Sequence, residues 1–172
     1  MNVRCVWPNA ITLLSLTHGL VALWAAFNEA YFLSFGLIVI AAILDRYDGK
    51  LARYLGCAST FGAFLDTFCD IVVFLVVVAM SVFLLTTLPS GVMVGLLVFY
   101  VLMGLARLWR FHHIVDRSYN VGLPVTAAGP MLYGLTLLRF YLIPQGLASL
   151  ALESLSVLLI AGLMVATFKV KR

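Results

Sequence analysis

Four of the five aspartates in this chain lie within 26 residues, between two strongly apolar segments. Carboxylates at membrane depth repel one another and resist desolvation, and each costs about 2.5 to 3.5 kcal/mol at a helix centre. A divalent cation among them would compensate both effects. The clustering therefore predicts a metal site, whose candidate ligands are Asp45, Asp48, Asp66 and Asp70.

The spacing of these aspartates places them on two helix faces. Asp45 and Asp48 are three residues apart, and Asp66 and Asp70 are four apart, so each pair shares one face of a helix. Gly56 marks a tight turn over residues 54–58, which would make the two helices antiparallel neighbours. We therefore expect the four carboxylates to face a single cavity.

Ligands that are all oxygen favour a hard cation, magnesium or manganese, over zinc or copper. Four carboxylates suit two such ions, and a pair about 3.5 to 4 Å apart is the usual device for clamping a phosphate and activating an oxygen nucleophile. Gly49, Ala52 and Gly62 lie on the same faces, where small side chains let a substrate approach the backbone. Arg53 offers a planar set of donors for a phosphate.

Composition indicates what kind of protein must position these groups. The chain has 172 residues, of which 64% are apolar and 10% charged, and its mean hydropathy is +1.12. These values exclude an ordinary soluble protein and predict a single all-α integral membrane domain over 1–172. The net charge of +4 does not indicate nucleic-acid binding, because the cations are scattered at the ends of apolar segments.

Six apolar stretches are long enough to predict transmembrane helices, each needing about 20 residues. Before them, residues 1–9 contain Arg4, Trp7 and Pro8, which predict a short interfacial helix that meets the first span at a proline bend. The predicted spans are about 10–27, 30–47, 64–86, 91–111, 124–143 and 147–168.

The distribution of Lys and Arg predicts the orientation. With a cytoplasmic N-terminus, ten of the eleven cations fall on the cytoplasmic side, as the positive-inside rule expects. Arg139 is the exception, and we expect it to extend to the opposite interface. Both termini and the aspartate cluster are therefore predicted to face the cytoplasm.

The aspartate segment resembles the signature of the CDP-alcohol phosphotransferases. It is written Asp45-x-x-Asp48-Gly49-x-x-Ala52-Arg53, then eight residues, then Gly62-x-x-x-Asp66-x-x-x-Asp70, and it agrees at all eight fixed positions. The resemblance implies a six-helix membrane enzyme, usually a homodimer, with a polar cavity facing the cytosol. In that family a CDP-alcohol donates its substituted phosphate to the hydroxyl of a second alcohol, and CMP leaves.

The resemblance also implies roles for individual residues. The four aspartates would hold two divalent ions, Mg²⁺ or Mn²⁺, with Asp66 and Asp70 as the catalytic pair and Asp70 as the candidate general base. A Pro-Asn-x-x-Thr element over residues 8–12 is similar to one common in the superfamily, and it adds Asn9 to the nucleotide site. The implied CDP-binding residues are Asn9, Gly49, Ala52, Arg53 and Gly62.

Residues 105–111 and 122–129 are similar to elements of phosphatidylserine synthases, although Thr126 stands where those enzymes often carry proline. This similarity favours CDP-diacylglycerol as donor and serine as acceptor. Arg107 and Arg110 share a helix face and suit the acceptor's carboxylate. They suit the phosphate of glycerol-3-phosphate or inositol phosphate equally, and lipid headgroups as well.

Two other function classes remain open. Acidic residues in membrane segments often mark ion paths, so a divalent-cation transporter is an alternative. Transport, however, requires neither the small residues nor Arg53 at fixed offsets. An aspartate-rich prenyltransferase would also bind a diphosphate through magnesium, but we find no second, distant acidic motif in the chain.

Overall fold

The computed structural model describes residues 6–56, 59–86, 88–113, 119–144, 146–166 and 169–171. Helices dominate, and the strands in this part of the chain form a single antiparallel pair of three residues each. The helices are α1 (Val6–Phe27), α2 (Tyr31–Tyr54), α3 (Thr60–Asp70), a π-helical segment (Ile71–Val77), α4 (Val78–Leu85), α5 (Ser90–His113), α6 (Val125–Leu142) and α7 (Leu147–Val165). The strands are β1 (Tyr119–Val121) and β2 (Lys169–Lys171).

Four helices in the described residues are long and apolar enough to cross a membrane. They are Trp7–Phe27, Thr60–Leu85, Ser90–Arg110 and Leu147–Val165. Helices α2 and α6 also coincide with predicted spans, but α2 carries the charged Asp45–Lys50 stretch and α6 contains Pro130 and Arg139. The chain is therefore a helical protein with four membrane-spanning candidates, and the six-span count stays a prediction.

The first helix differs from its prediction. Residues 6–9 belong to α1, which continues without interruption to Phe27. Pro8 lies in the first turn, where the backbone N–H groups have no partner within the helix, so the missing N–H of proline costs nothing there. The prediction of a separate interfacial helix meeting the first span at a bend is wrong for these residues, and residues 1–5 lie outside the described chain.

The connection between α2 and α3 is short, as predicted. Gly56 adopts φ +62°, a left-handed conformation that glycine takes without steric cost. Ser59 then caps α3, because its hydroxyl accepts a hydrogen bond from the backbone N–H of Gly62 at 3.0 Å. Residues 57 and 58 lie outside the described chain.

The long helix from Thr60 to Leu85 is central in the bundle. In its most apolar 18-residue window 56% of the residues are buried, against 33% for each of the other three candidate spans. Its π-helical segment and α4 supply much of the core, where they meet buried side chains of α5, α6 and α7. Among those core residues are Leu75, Val78, Val82, Tyr100, Leu132, Tyr133 and Ile160.

Two glycines let neighbouring helices approach the π-helical segment. A Cβ at Gly19 of α1 would lie 2.6 Å from the side chain of Val73, and one at Gly104 of α5 would overlap the side chain of Leu75. Both distances are shorter than carbon atoms tolerate, so any larger residue would push the helices apart. Small residues serve close helix packing here, as they do at many helix contacts within membranes.

Large apolar side chains cover the outside of the bundle. Trp24 of α1, Phe64 of α3, Leu102 of α5 and Leu155 of α7 each expose more than half of their surface. Isolated exposed apolar side chains are common on soluble proteins, but so many over several helices indicate a protein that contacts lipid. The exposure agrees with the membrane-spanning character of the four apolar helices.

Arg139 does not extend to an interface, and that prediction is wrong. Its side chain is buried, lies 3.4 Å from the Glu153 carboxylate of α7, and donates to the backbone carbonyl of Leu85 at 3.0 Å. Glu153 is only 1% exposed. The ion pair therefore ties α6 and α7 to the C-terminal end of α4.

We expect Gly104→Ala to destabilise the bundle by about 1 to 3 kcal/mol, because the added methyl group overpacks the contact with Leu75. Gly95→Ala on the same helix is the matched control. A Cβ there meets no described atom within 4 Å, and alanine should stabilise the helix by up to about 1 kcal/mol. Unfolding of both variants in detergent, followed by circular dichroism, measures the difference; equal stabilities would contradict the packing argument.

We expect Glu153→Gln to cost about 3 to 5 kcal/mol, because it removes the carboxylate that faces the buried Arg139 guanidinium. The double variant Arg139→Met/Glu153→Leu should recover most of that loss, since it removes both charges together. Glu29→Gln is the control at an exposed glutamate and should stay within about 0.5 kcal/mol of the wild type. The same unfolding assay applies, and a Glu153→Gln variant as stable as the control would refute the role of the pair.

Candidate metal and nucleotide site

Helices α2 and α3 bring three carboxylates together. One oxygen from each of Asp45, Asp48 and Asp66 lies within 4.8 Å of the others, a grouping that could hold a metal ion. Asp48 is only 2% exposed, and the other two are half-buried. Helices α2 and α3 both pack against α1, and the helical spacing of the aspartates lets their side chains converge from the two helices.

Asp70 lies beside this trio. It is the last residue of α3, and its carboxyl group is in side-chain hydrogen-bond contact with that of Asp45. One oxygen of Asp48 and one of Asp70 are buried without a hydrogen-bond partner among the described residues. A buried oxygen without a hydrogen-bond partner costs free energy. These two carboxylates therefore need a partner that the described protein atoms do not supply.

A divalent ion fits these residues. The donors are all carboxylate oxygens, which hard cations such as Mg²⁺ and Mn²⁺ prefer, and two of them lack another partner. When bound, such ions supply positive charge to a diphosphate and lower the pKa of a coordinated hydroxyl group. Asp45, Asp48 and Asp66 are the residues placed to hold one, with Asp70 adjacent.

Thr12 of α1 is a site residue to which we had assigned no role. Its hydroxyl donates to the second oxygen of Asp48 at 2.7 Å, and its side chain is buried. This bond fixes the orientation of the Asp48 carboxylate, so that its other oxygen points away from Thr12. The signal was present in the Pro-Asn-x-x-Thr element, in which Thr12 lies one helical turn beyond Pro8 and Asn9.

A cavity of about 140 Å³ opens beside the carboxylates, between α1, α2 and α3. Four of the five residues expected at the nucleotide lie in its wall: Asn9, Gly49, Ala52 and Gly62. Arg53 is exposed and is not among the lining residues. The complete lining comprises Pro8, Asn9, Thr12, Asp48, Gly49, Ala52, Ser59, Gly62, Ala63 and Asp66.

Gly62 has a steric role in this wall. A Cβ at this position would lie 3.1 Å from the Ser59 hydroxyl and 3.3 Å from the side-chain oxygen of Asn9. A side chain would therefore press on the cap of α3 and on Asn9, and it would project into the cavity. The glycine keeps the wall open next to Asp66.

The two arginines of α5 have different surroundings, although they are only three residues apart. Arg107 is 7% exposed and lies within electrostatic reach of Asp45 and Asp70. Arg110 instead donates to the carbonyl oxygens of Val165 at 2.8 Å and Ala166 at 3.4 Å. It therefore binds the C-terminal end of α7, where unpaired carbonyl groups attract a cation.

A second cavity, of about 640 Å³, lies between α2 and α6. Its wall is largely apolar, and Arg46 and Lys50 of α2 contribute the two cations of its lining. Thr126, which we had compared with a proline of the phosphatidylserine synthases, also lines it. The remaining lining residues are Val39, Ala42, Ile43, Tyr47, Pro124, Ala127, Pro130 and Met131.

Comparison with curated proteins finds relatives with one recurring name. The chain is 33% identical over 144 residues to the CDP-diacylglycerol–serine O-phosphatidyltransferase of Mycobacterium leprae, a match that covers 78% of this chain and 47% of the relative. It is 34% identical over 141 residues to the protein of that name from Methanocaldococcus jannaschii, covering 81% and 65%. A match over 63 residues, at 36% identity, is to a chloroplastic CDP-diacylglycerol–glycerol-3-phosphate 3-phosphatidyltransferase of Oryza sativa, covering 37% and 19%.

The chain thus spans about half the length of its mycobacterial relatives and about two thirds of the archaeal one. The family model for CDP-alcohol phosphatidyltransferases matches residues 5–168, which is nearly the whole chain. That range includes the eight signature positions and the carboxylates that α2 and α3 bring together. The chain belongs to the CDP-alcohol phosphatidyltransferase family.

Proposed function

We propose that this protein transfers the phosphatidyl group of CDP-diacylglycerol to the hydroxyl of serine and releases CMP. The observation that carries the proposal is the convergence of Asp45, Asp48 and Asp66 at a cavity that four expected nucleotide residues line. The names of the bacterial and archaeal relatives support serine as the acceptor. The name of the rice relative supports glycerol-3-phosphate as the alternative acceptor, and inositol phosphate is a third option that the arginines allow.

In the proposed reaction, the acceptor's hydroxyl oxygen forms a bond to the phosphorus that carries the diacylglycerol. The bond from that phosphorus to the bridging oxygen breaks, and the oxygen leaves with CMP. The acceptor's proton passes to a carboxylate, for which Asp70 is our candidate because one of its oxygens is buried beside the trio. Two Mg²⁺ or Mn²⁺ ions held by Asp45, Asp48, Asp66 and Asp70 would neutralise charge on the diphosphate.

The cavity beside the carboxylates supports a place for the nucleotide. Asn9, Gly49, Ala52 and Gly62 surround a space in which small side chains leave room for a flat base and a ribose. Arg53, exposed one turn beyond Gly49, would reach the nucleotide only from the rim. We propose that the first four residues bind CMP directly and that Arg53 binds a phosphate when the site is filled.

The second cavity supports a lipid-linked donor. Its apolar wall between α2 and α6 suits hydrocarbon chains, while Arg46 and Lys50 suit a phosphate group. Both cavities share α2, so a donor could place its nucleotide on one face and its lipid on the other. We therefore favour CDP-diacylglycerol over a soluble CDP-alcohol.

We also propose six spans, with both termini and the aspartates on the cytoplasmic side. Helices α2 and α6, with 24 and 18 residues, have the length of spans, and each packs against helices that qualify by composition. Asp48 of α2 and Arg139 of α6 have partners within the bundle, which reduces the cost of insertion. Ten of eleven cations favour this orientation, and the homodimer expected from the family remains a prediction.

We expect purified protein to release CMP from CDP-diacylglycerol in the presence of Mg²⁺ or Mn²⁺ and serine. Asp66→Asn should lower turnover at least about a hundredfold, because one ligand charge is lost from the site. Glu29→Gln, at an exposed carboxylate outside the signature, is the control and should leave turnover within about twofold. Thin-layer chromatography of the lipid product, with serine, glycerol-3-phosphate and inositol phosphate in parallel, identifies the acceptor.

Three results of this assay would contradict the proposal at different levels. Product with glycerol-3-phosphate but not serine would refute the acceptor and keep the reaction class. CMP release that is unaffected by Asp66→Asn would refute the metal assignment. No CMP with any acceptor, together with Mn²⁺ flux into protein-containing liposomes, would favour the divalent-cation transporter.

We propose that Arg107 binds the acceptor's anionic group, since it is the arginine of α5 that lies near the carboxylates. Arg107→Lys should raise the KM for the acceptor about tenfold, because lysine lacks the planar set of donors, and leave the KM for the donor unchanged. Arg110→Gln should instead lower stability by about 1.5 to 3 kcal/mol through the lost bonds to α7. An Arg110 variant with a selectively raised acceptor KM would reverse this assignment.

A further inference from the structure

A π-helical segment directly follows the last signature aspartate. Residues Ile71–Val77 form it, and Asp70 is the residue immediately before it. A π-helical turn contains about one residue more than an α-helical turn, and such turns are rare. Those that do occur are frequently found at functional sites. Each extra residue rotates the preceding part of the helix by about 100° relative to the part that follows.

Tyr100 of α5 contacts the backbone of this segment. Its side chain is fully buried, and its hydroxyl donates to the carbonyl oxygen of Phe74 at 2.7 Å. A side chain that bonds to a helix carbonyl competes with the regular i to i−4 pattern of hydrogen bonds. The Tyr100 hydroxyl therefore stabilises the wide turn at the point where regular α-helical bonding would otherwise continue.

Tyr100, Gly104 and Arg107 form one stripe on α5, because their spacings of four and three residues keep them on one helix face. Tyr100 contacts Phe74, Gly104 accommodates the side chain of Leu75, and Arg107 lies within reach of Asp70. This face of α5 thus follows the central helix from the π-helical segment to the aspartate end. The three residues of this stripe all lie against one short stretch of the central helix, residues 70–75.

The part of the central helix beyond the π-helical segment is held in place. Val78, Val82 and Leu85 are buried in the core, and the Leu85 carbonyl accepts the hydrogen bond from Arg139. Because the core holds this part, we expect a change in the π-helical segment to rotate α3 instead. Asp66 and Asp70 would then move away from the aspartates of α2.

We propose that Tyr100 is a positioning residue, which sets the rotation of α3 and thereby the convergence of Asp66 and Asp70 with Asp45. The inference rests on the proposed function, in which these aspartates converge in order to bind divalent ions. Tyr100 does not touch the carboxylates, and it acts through the carbonyl of Phe74. The hydroxyl group, and not the aromatic ring, carries the effect.

The test compares Tyr100→Phe with Tyr133→Phe. Both tyrosines are fully buried in the core, but the Tyr133 hydroxyl lies 3.5 Å from the carbonyl of Tyr31, away from the π-helical segment. Mn²⁺ binding to detergent-solubilised protein is measured by electron paramagnetic resonance, and thermal unfolding is measured without metal. We expect Tyr100→Phe to raise the Kd for Mn²⁺ about tenfold and Tyr133→Phe to leave it within about twofold.

A second measurement is independent of metal. Hydrogen exchange, followed by mass spectrometry, should be about tenfold faster in peptides covering residues 66–78 of Tyr100→Phe than in the wild type or Tyr133→Phe. Unchanged exchange and unchanged Mn²⁺ binding in Tyr100→Phe would overturn the inference while leaving the proposed function intact. A wild type that neither binds Mn²⁺ nor releases CMP would refute the proposed function itself. A merely structural role would lower the melting temperature of both variants alike without separating their Mn²⁺ affinities, and this too would overturn the inference.

Discussion

Mutual repulsion among carboxylates that are withdrawn from water is the constraint on which this fold depends. Asp45, Asp48 and Asp66 converge within 4.8 Å, and the cost of holding them there must be offset by groups in the surrounding helices. Thr12 donates to Asp48, and Arg107 lies within electrostatic reach of Asp45 and Asp70. Helices α2 and α3 carry the carboxylates, and α1 and α5 supply the groups that offset their repulsion.

The helix from Thr60 to Leu85 carries two of the aspartates at one end and core residues along the rest. The core residues account for the tight packing of its middle part, the π-helical segment. Gly19 and Gly104 permit close approach, and Tyr100 bonds to its backbone, so the carboxylate site adjoins the most closely packed part of this helix. Sites built on rigid elements hold their geometry better than sites on loops.

Sequence alone predicted that carboxylates of two helices would converge, because helical spacing converts directly into shared faces. The pairs Asp45/Asp48 and Asp66/Asp70 and the turn at Gly56 required no knowledge of long-range contacts. The roles of Arg110 and Arg139 could not be predicted in this way, because their partners lie on α7 and α4, distant in sequence. The π-helical segment was equally hidden, since Ile71–Val77 is uniformly apolar and has the composition of an ordinary span.

The buried pair of Arg139 and Glu153 has a consequence for how the protein enters the bilayer. Helix α6 carries a cation and a proline and would partition poorly on its own, and α7 carries an isolated acid. The two charges lie 3.4 Å apart and neutralise each other, across a connection of four residues from Ile143 to Gly146. The last two helices are therefore expected to leave the translocation channel together as a hairpin, with the ion pair already formed.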